Sequence, residues 1–202
     1  MKLYYAPGAC SLASHIALHE TDLPFEIDKL NVPTKTTASG EDFMQINPKG
    51  YVPALKLDDG GILTEGAAIL QYIADQKPGS GLAPKADTME RYRLQEWLNF
   101  IGTEIHKSFS PLFSKTASDG VKNRARDLLT KRLCLVEAQL ASKPYLMGDS
   151  FTVADAYMFV VMSWGHHVSF TLDQFPGIKD YVARISARPS VQAAMKAEGL
   201  IQ

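Results

Sequence analysis

The sequence predicts a mixed α/β segment followed by an all-α segment, and three observations carry that division. Apolar residues in the first third switch between a two-residue and a 3.6-residue period. The stretch KPGSGLAPKADT at 77–88 is rich in Pro, Gly and small polar residues, and every strong pattern beyond it is helical. A chain of 202 residues, 46% of them hydrophobic, has room for one large domain or two small ones around a real core. The net charge of −1, with no run of like charge and no Lys/Arg cluster interleaved with aromatics, argues against a nucleic-acid partner. MKLYYAPG lacks the apolar core of a secretion signal, and no stretch is apolar for long enough to span a bilayer, so a cytoplasmic protein with no membrane partner is expected. Cys10 and Cys134 cannot supply a disulfide framework and are judged singly.

In chain order, KLYY reads as a strand, SLASHIALHE as a helix with Leu12, Ala13, Ile16 and Ala17 on one face, and FEIDKL as a second strand. After a polar segment around Thr34 to Asp42, with room for a short helix, YVPALKL and ILTE flank the turn DDGG as a β-hairpin. GAAILQYIADQ follows as a helix. Past the linker, Leu94, Trp97, Leu98, Ile101 and Ile105 form one helical stripe, and Leu129, Leu133, Val136 and Leu140 another. VADAYMFVVMSWG is apolar nearly all round, which predicts a buried central helix whose start is capped by Thr152 and Asp155. The expected domains span 1–80 and 87–202.

Cys10 stands where a strand runs into a helix, in PGACS. Helix-terminal amides favour a thiolate there, as in thioredoxin-type redox proteins, but the resolving position three residues on is Ala13. An oxidised Cys10 would have to pair with an outside thiol, of which glutathione is the abundant cytosolic one; a buried inert cysteine is the plainer alternative. A cis bond at Val52–Pro53 would turn the backbone outward, so that Val52 offers N–H and C=O to an extended peptide; an ordinary edge-strand proline is the alternative. Glu65 and Gly66 begin a helix whose free amides suit a carboxylate, while Glu65 suits an ammonium, which together fit an amino-acid head group; plain helix capping explains them equally. His106 lies at the edge of a buried stripe, placed either to donate to a thiolate or to serve as a structural histidine. His15 and His19, spaced i,i+4, have no third ligand of suitable spacing, so no metal is expected. His166 and His167 read as structural or as lining a hydrophobic site, and Cys134 as a core or boundary thiol.

Taken together, YYAPGACS, NPKGYVPAL, LTEGAAILQYIAD, WLNFIGTEIHKSFSPLF and YLMGDSFTVADAY resemble the bacterial beta-class glutathione S-transferases over essentially the whole chain. The resemblance implies a thioredoxin-like, glutathione-binding N-terminal domain and a helical-bundle C-terminal domain that forms much of the hydrophobic substrate site. It also implies a homodimer with an active site in each subunit. Carried over by position, Cys10 contacts the glutathione sulfur, Lys35 the glycine carboxylate, and Val52, before Pro53, the cysteinyl unit through its backbone. Glu65 and Gly66 hold the γ-glutamyl end. Gly66 stands where many relatives have serine, so a hydroxyl contact is missing. Asn99 reaches the partner subunit's glutathione, and Thr103, Glu104, His106 and Lys107 line the site with His106 near the sulfur. Tyr5 and Ser11 join Cys10 and His106 as the catalytic set. The implied activity is conjugation of the glutathione thiolate to a small hydrophobic electrophile, as in detoxification, with thiol–disulfide exchange through Cys10 at the same site. A glutaredoxin-like oxidoreductase or peroxidase and a non-enzymatic hydrophobic-ligand carrier are the alternatives.

Overall fold

In strand β1 (Lys2–Tyr5) successive side chains take opposite faces, as the period of a strand requires. Tyr4 packs with Leu30, Val52, Ala54 and Phe43. In the computed structural model, which describes all 202 residues, β1 is the middle strand of a five-stranded sheet of order β3-β2-β1-β4-β5. It runs parallel to β2 (Glu26–Asn31) and antiparallel to β4 (Ala54–Lys56), in the register Leu3↔Ile27 and Leu3↔Leu55. The parallel β1–β2 pair needs a crossover, which helix α1 (Ser11–Thr21) supplies. The DDGG hairpin joins β4 to β5 (Ile62–Thr64), and Leu57 N–H donates to Gly61 O at 2.8 Å. The hairpin strands are shorter than YVPALKL suggests, so Tyr51, Val52 and Pro53 lie in the approach to β4.

The polar segment between β2 and β4 holds two small elements. The two-residue edge strand β3 (Thr36–Thr37) is too short to leave a periodic trace in the sequence. Helix α2 (Phe43–Ile46) is the expected short helix; Asp42 caps it by accepting from Met44 N–H at 2.9 Å. Helix α3 (Gly66–Gln76) packs against α1. Almost all of α1 is buried, well beyond the single face read from its pattern, because α9 (Pro189–Ala197) packs on it as well as α3. The chain thus divides into two units, Met1–Ala83 with Ala187–Gln202, and Pro84–Ser186, and its last residues group with its first.

The second unit is all helical. Helix α4 (Met89–Phe100), capped by Thr88, runs without a break into a π-helical stretch at Ile101–His106 and then into α5 (Lys107–Phe113). Leu94, Leu98, Ile101 and Ile105 of the predicted stripe are buried, as are Leu129, Leu133, Val136 and Leu140 of α6 (Asp119–Leu140). Helix α7 (Val153–Ser163) is buried at every position from Val153 to Met162, and α8 (Pro176–Ser186) packs on α6 and α7. Each large apolar side chain so buried contributes about 1.5 to 3 kcal/mol.

Asp155 makes the start of α7 possible. Its carboxylate is fully buried and accepts from Leu146 N–H (2.9 Å), Thr152 N–H (2.8 Å), Thr152 Oγ1 (2.9 Å) and Tyr181 OH (2.9 Å). Burial raises its pKa, and the four hydrogen bonds oppose that rise. Asp155→Ala removes the acceptor and strands these donors in the core, so a loss of about 3 to 5 kcal/mol is expected by chemical denaturation. A loss below about 1 kcal/mol would show that the capping box is dispensable.

Candidate active site

Cys10 is the N-cap residue of α1, at the end of a loop held from two sides. Ser11 Oγ, fully buried, accepts from Ala6 N–H at 3.2 Å and donates to Ala6 O at 3.3 Å. Gly8, at φ +69° where glycine pays no steric penalty, donates its N–H to Glu198 Oε2 at 2.9 Å. Between these anchors the half-buried Cys10 thiol donates to Val52 O at 3.4 Å. The Val52–Pro53 bond is cis.

The segment Lys49–Pro53 gathers the other expected contacts of this unit. Lys35 Nζ donates to Gly50 O at 2.6 Å. Glu65 Oε1 accepts from Lys49 Nζ at 2.6 Å and from Tyr51 OH at 3.0 Å, and these bonds raise the pKa of both donors. A Cβ on Gly66, at the first turn of α3, would lie 3.9 Å from Pro53 Cγ, which is ordinary contact. Cys10, Lys35, Val52, Pro53, Glu65 and Gly66 are therefore brought to one segment from four separate stretches of sequence. Lys35 (φ +57°) and Glu65 (φ +69°) are also two of the five non-glycine residues with positive φ. Such backbone is held against its intrinsic preference and concentrates at ligand sites. Lys49 neutralises Glu65 in part.

The segment owes its shape to Asn47, which sequence reasoning passed over. Its buried side chain donates to Tyr51 O at 2.8 Å and accepts from Lys49 N–H at 3.2 Å, and its backbone carbonyl accepts from Gly50 N–H at 2.8 Å. The signal was present in NPKG, since Asn before Pro favours a turn closed by its own side chain. Gly50 is required there, because its φ is +70° and a Cβ would sit 3.0 Å from Met44 Sδ.

In the second unit Thr103, Glu104 and His106 belong to the π-helical stretch, and Lys107 follows it. A π turn widens the helix and commonly marks a functional position. Exposed Thr103 donates to Asn99 O at 3.0 Å, and Glu104 pairs with Arg132 at 2.6 Å. Asn99 is exposed on α4. His106 is wedged against Tyr157 and Trp164, with ring centroids 5.9 and 4.7 Å away, and its Nδ1 is 2.7 Å from Tyr157 OH. Burial, and then the neighbouring Lys107 charge, lower its pKa to about 4, so at neutral pH it is an uncharged imidazole.

The remaining expectations fall as follows. Tyr5 is buried with its ring 6.0 Å from His15; burial, then the Glu198 and Asp28 carboxylates, raise its pKa and keep it a phenol. Ser11 spends its hydroxyl on Ala6, as a brace for the loop. His15 Nδ1 meets Glu198 Oε1 at 2.9 Å, and its ring stacks on His19 at 5.0 Å. His166 and His167 are exposed, with ring centroids 3.7 Å apart. Cys134 is also exposed, which corrects its reading as a core or boundary thiol: it faces away from the Leu129, Leu133 and Val136 stripe of α6.

Residues 8–76 match the family described as glutathione S-transferase, N-terminal domain, and residues 100–189 match the glutathione S-transferase, C-terminal domain. The chain is 44% identical to glutathione S-transferase GstA of Escherichia coli O157:H7 over 99% of its length and 100% of that protein. Its structure is similar to that of a beta-class glutathione S-transferase of Sphingomonas chungbukensis, with a TM-score of 0.96 and 48% identity over 100% of both chains. A sphingomonad glutathione S-transferase solved in complex with glutathione gives a TM-score of 0.96 and 47% identity, again over 100% of both chains.

The depressed His106 pKa has a consequence for stability. An unfolded histidine titrates near 6.5, so between about 6.5 and 4 the unfolded chain binds the extra proton, and stability is lost as pH falls through that window. Denaturation midpoints at pH 7 and pH 5 should fall less for His106→Gln than for the wild type, by on the order of 1 to 2 kcal/mol. Equal pH slopes for the two proteins would contradict the buried, neutral assignment.

Proposed function

The chain belongs to the glutathione S-transferase family, and from that premise we propose that it conjugates the thiolate of glutathione to small hydrophobic electrophiles, as a cytoplasmic homodimer. The observation that carries this is the convergence of Cys10, Lys35 and Glu65 on Lys49–Pro53, which offers an ammonium partner, a cation and a helix start along one extended path. On this reading Glu65 and the α3 amides at Gly66 take the γ-glutamyl end, Val52 pairs with the cysteinyl backbone beside Pro53, and Lys35 takes the glycine carboxylate. On the same reading Asn99 reaches the glutathione of the partner subunit, and Thr103, Glu104, His106 and Lys107 line the surroundings of the sulfur.

The reaction asks the protein to ionise one thiol and present it. Glutathione gives up its S–H proton, its sulfur forms a bond to an electrophilic carbon, and a leaving group departs with the bonding pair where the electrophile carries one. His106, neutral at working pH, contributes a hydrogen bond to the sulfur rather than a charge, and Lys107 supplies positive potential beside it. Cys10 serves the second activity: its thiolate attacks oxidised glutathione, forms a mixed disulfide and releases reduced glutathione. The relatives are named as transferases, which gives a purely glutaredoxin-like or carrier role no support. Two cysteines outside any disulfide suit a reducing compartment, and no helix is long and apolar enough to cross a membrane.

The division of labour is testable by paired rates on purified variants. Cys10→Ala should abolish exchange with hydroxyethyl disulfide while leaving substantial conjugation, whereas His106→Ala should lower conjugation on the order of a hundredfold, the usual cost of one preorganised donor. The reverse pattern would make Cys10 the group that activates the glutathione sulfur. Gly66→Ser fits sterically and restores a hydroxyl at the α3 start, so calorimetry should find glutathione bound about three- to tenfold more tightly. Unchanged or weaker affinity would remove the α3 start from the proposed site.

A further inference from the structure

A neutral histidine carries a single ring proton, so which nitrogen holds it decides whether His106 can donate at all. The structure ties Nδ1 to a specific partner: Tyr157 OH at 2.7 Å, from a residue in the buried α7 helix. Tyr157 is 7% exposed, and its hydroxyl lies beside the π-helical stretch, where a Cβ on Gly102 would be 3.6 Å from it. Edge-to-face packing of the imidazole on Trp164, at 4.7 Å and 74°, together with its packing on Tyr157 at 87°, fixes the ring plane. A ring so clamped, with Nδ1 engaged, has Nε2 left as the nitrogen that can meet a ligand.

We propose that Tyr157 is a positioning residue for conjugation: its phenol O–H donates to His106 Nδ1, which holds the imidazole in the Nε2–H tautomer, the form whose Nε2 has a proton to donate. Across the 2.7 Å contact this direction pairs the more acidic phenol O–H with the more basic ring nitrogen, and its catalytic consequence rests on the role for His106 proposed above. The logic is that of a histidine whose far nitrogen is fixed by a second group, so that the near one meets the reacting atom in a single protonation state. Without the phenol the neutral ring would divide between its two tautomers, and only one of them can donate from Nε2.

Long-range proton–nitrogen correlation spectra of the full-length protein with 15N-labelled histidine, at neutral pH, report the tautomer directly. The wild type should show His106 with Nε2 protonated and Nδ1 bare, and Tyr157→Phe should shift both nitrogen signals toward averaged values. Wild-type His106 carrying its proton on Nδ1 would overturn the proposal without recourse to any variant. In steady-state kinetics Tyr157→Phe should lower kcat roughly three- to tenfold, the worth of one hydrogen bond, with the KM for glutathione unchanged. In a His106→Ala background the same substitution should have no further effect, because the two groups act as one. Equal losses in both backgrounds, or a change confined to KM, would make Tyr157 a structural residue only. If His106→Ala itself leaves conjugation intact while the spectra show the expected tautomer, the role given to His106 fails and the Tyr157 contact stands.

Discussion

A buried carboxylate near the end of the chain holds the start of it in place. Glu198 accepts from Gly8 N–H and meets His15 Nδ1, each at 2.9 Å, and its side chain has no exposure to solvent. A polar side chain in that setting is tolerable only when it is hydrogen-bonded, because burying it unpartnered costs several kcal/mol. The consequence is geometric. The Pro7–Cys10 turn is fixed at one end by Glu198 and at the other by the two-way Ser11–Ala6 contact, so the thiol at the head of α1 is positioned by residues almost two hundred places apart. Arg188 and Ser190 bind Glu20 in the same region, which secures α9 along α1.

The two units place their functional side chains by different means. In the first, one irregular segment shaped by Asn47 collects hydrogen bonds from Cys10 and Lys35 and packs on Gly66, while its own Lys49 and Tyr51 reach Glu65. Irregular backbone suits this task, since its N–H and C=O groups are not consumed by a ladder or a helix. In the second, the side chains stand on a helix locally widened to π geometry, and rigidity comes from the aromatic packing around His106. That same packing removes the histidine from water and strips its charge at neutral pH. A group that stabilises an anion by hydrogen bonding alone adds no proton-dependent step of its own above the low pH at which it titrates.

The elements themselves were legible because local rules decide them. KLYY, helices α1 and α3, the DDGG hairpin, the Leu94 to Ile105 stripe and the Thr152–Asp155 cap are each set by side-chain period, turn chemistry or capping within a few residues. The stretches proposed to carry the site also stood out in sequence, since Cys10, Val52–Pro53 and Glu65–Gly66 each mark a place where a regular element begins. What lay beyond reach was every contact made across long stretches of chain. Nothing near Glu198 or Tyr157 in sequence announces Gly8 or His106 as a partner, and only folding brings those donors and acceptors within 3 Å. Burial decided the protonation of His106, the exposure of Cys134 depended on which face of α6 found a partner, and the last helix joined the first unit because α1 had a second face to cover. Local sequence determined where elements start and which residues they present; desolvation and long-range hydrogen bonding, which exist only in the packed molecule, determined what those residues can do.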